Sequence, residues 1–331
     1  MPDFVVCGAT SWGVTLASVL SLSHERVILL TRSSAEAESV RERRGIARLP
    51  EVSLSSRVTI VAEPPPPQSV QGMVLAVPAQ SLRTAAGCFL GYEGVPVLSA
   101  AKGIELATGR RMSEVLAEKW PLQQIAVLSG PNLAHEVGRG LPAAAVVASA
   151  GAETAIAWQQ ALATASFRLY TSSDVVGVEL AGALKNVVAI AAGAAVGLNL
   201  GANAVAAIVT RGLAEITRLG LALGADAATF SGLAGVGDLT VTCFSPLSRN
   251  HRLGELLAAG VSASAALAQI GEAVEGAATA GVALELAARA GVELPIAREV
   301  AAVLAGKRKV SEAMSLLLTR PLGPESPSVS Q

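Results

Sequence analysis

Lys185 is the residue in this sequence best placed to move a proton. It lies in Leu184-Lys185-Asn186-Val187-Val188, and no charged side chain follows it until Arg211. Burial or a second cation nearby lowers an ammonium's pKa towards neutrality, the range in which a general base must work. On local grounds alone it is equally a helix lysine that threads its charge out to water. Two other segments carry polar chemistry. Gly235-Val236-Gly237-Asp238-Leu239 presents an acid flanked by glycines, and Ser248-Arg249-Asn250 is a compact triplet. Arg249 could hold a phosphate through paired hydrogen bonds, although an exposed helix cap is the other reading of that triplet.

A second group of residues suits a dinucleotide. The apolar run Asp3–Cys7 leads into Gly8-Ala9-Thr10-Ser11-Trp12-Gly13 and then the helical run Val14–Leu20. A turn at Gly8 aims the unpaired N–H groups of a helix N-terminus at a pyrophosphate, and Gly13 lets that helix pack closely on the strand. Thr10 occupies the place of the usual second glycine, where a Cβ would push the pyrophosphate away or demand an altered loop. Arg32 follows the second strand, nineteen positions after Gly13, with no acid beside it. NAD-selective sites offer a carboxylate there, whereas a guanidinium suits the 2′-phosphate of NADP. NADPH use is therefore expected, with NADH as the other candidate; a plain strand-end cation is the competing reading of Arg32.

These residues need a scaffold, and the apolar pattern supplies one. Candidate strands are Asp3–Cys7, Arg26–Leu30, Arg57–Val61, Gly72–Val77, Val95–Ala100, Ile125–Ser129, Ala143–Ala148 and Ser166–Tyr170. Most are continuously apolar, as in strands covered on both faces, and they alternate with helical segments. That pattern predicts an α/β fold beginning with a doubly wound, Rossmann-type parallel sheet over residues 1–171. From Asp174 onward the pattern is helical, with breaks near Gly197–Asn203, Ala234–Asp238, Ser245–Asn250, Gly271–Gly276, Gly291 and Pro295. An all-α substrate half is predicted over 172–320, and a Pro/Ser-rich disordered tail over 321–331.

Composition narrows the function classes. A net charge of −1 offers no field for nucleic acid or an anionic membrane surface. The scattered Cys7, Cys88 and Cys243 and the sparse His24, His135 and His251 suggest neither a disulfide framework nor a metal site. The N-terminus has no signal-peptide pattern, so a cytoplasmic location is expected. Gly193, Gly197 and Gly201, spaced four apart in the uncharged run, resemble a membrane dimerisation motif. A buried core helix broken near Gly197–Gly201 is the better reading, because Asn186, Asn199 and Asn203 interrupt the run and Lys185 and Arg211 abut it.

Taken together, the motifs resemble the bacterial-type NAD(P)-dependent glycerol-3-phosphate dehydrogenase family. The resemblance rests on Leu75-Ala76-Val77-Pro78, Ala101-Lys102-Gly103, Ser129-Gly130-Pro131, Gly140-Leu141-Pro142 and Leu184-Lys185-Asn186-Val187. It continues through Thr210-Arg211-Gly212-Leu213-Ala214-Glu215, Gly235–Leu239 with Thr242-Cys243, Ser248-Arg249-Asn250 and Val274-Glu275-Gly276. The segments stand in the family's order and cover about residues 4–320. The resemblance implies reversible reduction of dihydroxyacetone phosphate to sn-glycerol 3-phosphate with NADPH or NADH, supplying the glycerol backbone of phospholipids. It also implies Lys185 as proton acceptor in the oxidation direction, with Lys102 and Asp238 beside it in the catalytic group. By position, Lys102, Gly130, Asn132, Lys185, Asp238, Ser248, Arg249 and Asn250 look like substrate contacts. Gly8, Ser11, Trp12, Gly13, Arg32, Lys102, Ala134, Arg249, Ala273 and Glu275 look like cofactor contacts.

Thr10, Asn132, His135 and Ala273 depart from the family's pattern, and Thr10 with His135 leaves room for weakened cofactor affinity or an altered substrate. A ketopantoate-type reductase, whose substrate carries a carboxylate, shares this plan and is the second enzyme reading. A non-catalytic NAD(P) sensor is the reading from another class. The partners expected are a small phosphorylated molecule and no nucleic acid or membrane; the Ala/Gly-rich helical half is compatible with a homodimer.

Overall fold

The computed structural model describes residues 3–319. The tail expected to be disordered, 321–331, lies outside the described residues. All eight strand segments form, as β1 (Asp3–Cys7), β2 (Val27–Leu30), β3 (Val58–Val61), β4 (Val70–Leu75), β5 (Val97–Ser99), β6 (Ile125–Ser129), β7 (Ala143–Ser149) and β8 (Phe167–Ser172). They make one sheet in the order β3-β2-β1-β4-β5-β6-β7-β8. Helices α1 (Ser11–Ser23), α2 (Ser34–Arg43), α3 (Leu82–Gly87), α4 (Met112–Leu116), α5 (Ala134–Gly138) and α6 (Ala152–Leu162) lie between them.

Alternate residues of β1 enter different cores, which is why the strand reads as one apolar run. Phe4 and Val6 join Val14 and Leu16 of α1 and Trp158 of α6. Val5 and Cys7 join Leu82 of α3 and Met112 and Val115 of α4. The order of strands reverses beside β1, which is flanked by β2 and β4. A crevice at the carboxyl ends of such strands is where this class of sheet takes its ligands.

The sheet is parallel, as expected, over its first six strands, and it reverses once. β7 runs antiparallel to β6, and β8 is parallel to β7, so the last two strands point the other way. A parallel return needs a crossover that carries the chain back across the sheet, usually on a long helix. The link from Gly130 to Pro142 holds only the five-residue α5, which packs on α1 instead. The chain therefore re-enters the sheet from the end it has just left.

From Val175 the structure is helical: α7 (Val175–Gly197), α8 (Ala202–Ala222), α9 (Ala227–Ser231), α10 (Asp238–Phe244), α11 (Arg249–Ala258), α12 (Ala263–Ile270), α13 (Glu275–Arg289), α14 (Pro295–Leu304) and α15 (Val310–Leu318). Asp174 caps α7 by accepting from Gly177 N at 2.8 Å. Length and composition alone would let α7 cross a membrane, but 89% of its most apolar stretch is buried within the protein. Its glycine spacing serves α11. A Cβ on Gly193 would lie 2.0 Å from His251 O, and one on Gly254 would lie 2.0 Å from Ile190 O. With neither Cβ present, the two backbones touch, and the start of α11 is seated against the middle of α7.

Candidate active site

Three charged side chains from separate parts of the chain meet at the carboxyl end of the sheet. Lys185 comes from α7, Asp238 from the first residue of α10, and Lys102 from the segment after β5. Asp238 Oδ1 accepts from Lys185 Nζ, and Asp238 Oδ2 accepts from Lys102 Nζ at 2.8 Å. Ser129 Oγ and Gly130 N approach the same Oδ2 at 3.3 and 3.4 Å. Lys185 Nζ also donates to Thr242 Oγ1 at 2.7 Å, and that hydroxyl donates to Asp238 O at 2.6 Å. Lys102 Nζ completes its set with Gly130 O at 3.0 Å and Asn132 Oδ1 at 2.6 Å.

The backbone makes this convergence possible. Gly130 adopts φ +136, and a Cβ there would lie 2.8 Å from Ala145 Cα. The π-helical turn Leu233–Gly237 delivers Asp238, and it needs glycine at 235 because a Cβ would meet Phe230 O at 2.2 Å. Gly182 on α7 lets Ser129 approach, since its Cβ would lie 2.6 Å from Ser129 Oγ.

Lys185 and Asp238 are buried, while Lys102 keeps a small exposed edge. Burial drives the Lys185 pKa down to about 7; Asp238 pulls it upward and Lys102 pushes it down. Burial pushes the Asp238 carboxyl up, but Lys102 and Lys185 outweigh that and hold it below its ordinary range. The result is an ionised carboxylate between two amines, one of which can change protonation state near neutral pH. Such a group can give a proton to a developing alkoxide and take one from a hydroxyl.

The residues of the first turn fit a dinucleotide. Gly8 has φ +111, and a Cβ would sit 2.8 Å from Ala76 O; one on Gly13 would sit 1.9 Å from Gly8 O. Thr10, whose Cβ was expected to push a pyrophosphate away or demand an altered loop, turns its hydroxyl back into the turn: its Oγ1 donates to Ala76 O at 2.7 Å and accepts from Gly13 N at 3.0 Å. The hydroxyl caps α1 and ties it to the end of β4. The amides of Ser11 and Trp12, ahead of Gly13 in the first turn, have no acceptor within the helix and are available to an anion. Trp12 packs edge-on to Phe167, and its Nε1 is buried with no partner.

The remaining predicted residues divide into those facing the crevice and those already engaged. Asn132 is buried; its Oδ1 is held by Lys102 while its Nδ2 has no partner, which leaves an unpaired donor on a residue bound to Lys102. Glu275, at the start of α13, accepts from Ala79 N at 3.0 Å, and a Cβ on Gly103 would lie 3.0 Å from its Oε2. Burial raises its pKa, against the pull of Ala79 N–H and Arg249. Ala273 lies in the exposed link just before it. Ala134 accepts from Thr15 Oγ1 at 3.1 Å, joining α5 to α1. Ser248 caps α11 by accepting from His251 N at 3.3 Å. Asn250 bridges Asn186 Oδ1 and Gly276 N, each at 2.9 Å, so both ends of its amide are taken. Arg249 is partly exposed and pairs with Glu272. Arg32 is 86% exposed at the end of β2 and pairs with Glu36, so it reaches none of the lysine cluster. His135 pairs with Glu51 on the outer side of α5.

Sequence reasoning passed over Glu179, a buried acid on α7 six positions before Lys185. It accepts from Ser113 N at 2.7 Å, Ser113 Oγ at 2.6 Å and Arg111 at 2.7 Å, clamping α7 to the start of α4. The signal that exposed Lys185, a charge within an apolar run, was present here too. Among the described residues, no group of three or more His, Cys, Asp or Glu converges as a metal site.

Comparison with known proteins gives a consistent match over nearly the whole chain. Residues 3–155 match the family described as NAD-dependent glycerol-3-phosphate dehydrogenase N-terminus, and 174–315 match its C-terminus. A glycerol-3-phosphate dehydrogenase (NAD(P)+) of Novosphingobium aromaticivorans is 44% identical, covering 98% of each chain. That of Moorella thermoacetica is 45% identical, covering 96% of each. The crystal structure of glycerol-3-phosphate dehydrogenase from Coxiella burnetii superposes with a TM-score of 0.89 at 32% identity, over 96% of this chain and 99% of that one. A ketopantoate reductase from Ralstonia eutropha shares the fold alone, with a TM-score of 0.58 at 16% identity over 95% and 100% of the chains.

Proposed function

The chain belongs to the NAD-dependent glycerol-3-phosphate dehydrogenase family, and on that premise we propose how its residues divide the reaction. The reaction is the interconversion of dihydroxyacetone phosphate and NAD(P)H with sn-glycerol 3-phosphate and NAD(P)+. A nicotinamide dinucleotide held in this cleft would supply or take up the hydride exchanged at C2. Lys185 gives its proton to the C2 oxygen during reduction and is left neutral. In oxidation, neutral Lys185 takes the hydroxyl proton. Asp238 holds both lysines by their ammonium groups and stays ionised throughout. Lys102 and Asn132 Nδ2 orient the substrate oxygens, while Arg249 and Ser248 face its phosphate. Gly8, Ser11, Trp12 and Gly13 would hold the pyrophosphate at the start of α1, and Ala134, Ala273, Glu275 and Arg32 would contact the rest of the cofactor.

One observation carries the reading: Lys185 is buried on a shared carboxylate with a pKa of about 7. In the reducing direction kcat/KM should fall as pH rises through about 7, because the proton donor is lost, and in the oxidising direction it should rise through the same range. Initial rates in both directions from about pH 5.5 to 9 check this.

The division into a dinucleotide half, 1–171, and a helical half, 172–320, is part of the same reading, supported by their separate apolar cores. So is a cytoplasmic location, where the three free cysteines would stay reduced. The test of function is NADPH oxidation, followed by absorbance, with dihydroxyacetone phosphate and separately with ketopantoate, each repeated with NADH. Turnover is expected with the phosphate substrate. Turnover with ketopantoate alone would contradict the reading.

A further inference from the structure

One carboxylate in the cleft stands between two guanidinium groups that come from opposite halves of the molecule. Arg48, in the link from α2 to β3, donates through Nη2 to Ala9 O at 2.6 Å, just before the first turn of α1. Its Nε lies 3.7 Å from Glu272 Oε2. Glu272 directly follows Gly271, whose left-handed backbone ends α12 at φ +69 and turns the chain. The same Oε2 accepts from Arg249 Nη1 at 3.4 Å. A single oxygen thus joins the pyrophosphate turn of the sheet half to the phosphate-facing arginine of the helical half.

Neither Arg48 nor Glu272 is needed to explain the lysine cluster or the glycine turn, and their chemistry asks for another role. All three side chains are partly exposed, at 44%, 36% and 43%, and ion pairs of that kind hold weakly and exchange partners readily. Guanidinium forks bind phosphate oxygens as well as carboxylates. Both ligands of the reaction bring such oxygens, the dinucleotide at α1 and the substrate at Arg249.

We propose that Glu272 is an internal counter-anion, which pairs Arg48 with Arg249 in the ligand-free cleft and is displaced when the ligands' phosphates arrive. Arg48 then passes to the cofactor's pyrophosphate, and Arg249 to the substrate's phosphate. Glu272 sets the affinity for both ligands by competing with them, without contact to the reacting carbon. The inference rests on the functional reading above, because it takes the cleft to hold a dinucleotide and a phosphorylated substrate.

The test uses Glu272→Gln, Arg48→Met and the double variant, with titrations of NADPH and of ADP-ribose, which carries the pyrophosphate but no nicotinamide. Glu272→Gln should bind both about three- to tenfold more tightly, the scale of one or two partly exposed pairs, and should lower KM for dihydroxyacetone phosphate. Arg48→Met should weaken both, and the gain on ADP-ribose should vanish in the double variant. A merely structural Glu272 would loosen binding on removal, so tighter binding separates the two roles. Unchanged or weaker binding in Glu272→Gln, or an ADP-ribose gain that survives Arg48→Met, would overturn the proposal. The functional reading is judged separately: failure of the wild-type chain to turn over dihydroxyacetone phosphate would remove it, whatever Glu272 does.

Discussion

Replacing Lys185 with alanine should cut turnover of dihydroxyacetone phosphate at least ~10²-fold, the low end for a general acid–base group, while NADPH still binds. The expectation follows from how the cluster is divided. The groups proposed to face the pyrophosphate, at the start of α1, are remote in sequence from α7, and nothing in the Gly8–Gly13 turn depends on the lysine. Loss of the ammonium leaves Asp238 still paired with Lys102 at 2.8 Å, so no buried charge is stranded. The fold should therefore survive and the chemical step should not. Steady-state rates set beside an NADPH titration of the same preparation make the comparison.

Asp238→Asn should do the opposite kind of damage. The amide is nearly the same size but carries no charge, so the two ammonium groups lose the anion that both of them contact. Removing one partner from a buried ionic group typically costs about 3–5 kcal/mol, because the remaining charge is left without compensation. The site has one way to limit that cost, which is to release the Lys185 proton. Its pKa, already lowered to about 7 by burial, should fall further once the upward pull of Asp238 is gone.

The sign of the pH effect follows from proton counts. In the unfolded chain the lysine keeps its ordinary pKa, so above the depressed folded value the unfolded state binds more protons. Stability then rises with pH across that interval. Parent and variant share that rise above about 7, so the deficit of Asp238→Asn should narrow only between the variant's lower lysine pKa and about 7, and be greatest on the acid side of that interval. Denaturant midpoints at several pH values measure it. A variant as stable as the parent at about pH 6, below the lysine's depressed pKa, would mean that Asp238 does not bridge the two lysines.

Much of this architecture could be read from residue patterns, for identifiable reasons. Strands covered on both faces leave continuous apolar runs, so all eight were found. Direction leaves no such trace: the run Ala143–Ala148 reads the same either way, and only the short α5 connection shows why β7 is reversed. Lys185 stood out as a lone charge in an apolar run, and the run itself was a core helix because its glycines receive α11. At Thr10 the spacing places a Cβ without saying where the hydroxyl turns; it turns inward and caps α1. Asn250 is a substrate contact only by the family resemblance; its triplet gave no sign that its amide spans Asn186 and Gly276, partners far away in sequence. The Arg48–Glu272 pair is less visible still, since its members lie on opposite sides of the cleft and belong to no motif.

The claim on which the rest depends is that Lys185 exchanges the proton at C2, and its most direct test is the pH dependence of Lys185→Ala beside that of the parent. The parent should show an ionisation near 7 in kcat/KM for dihydroxyacetone phosphate, and the residual activity of the variant should lack it. A variant that keeps the same inflection, or nearly the parent's rate, would assign the proton to another group.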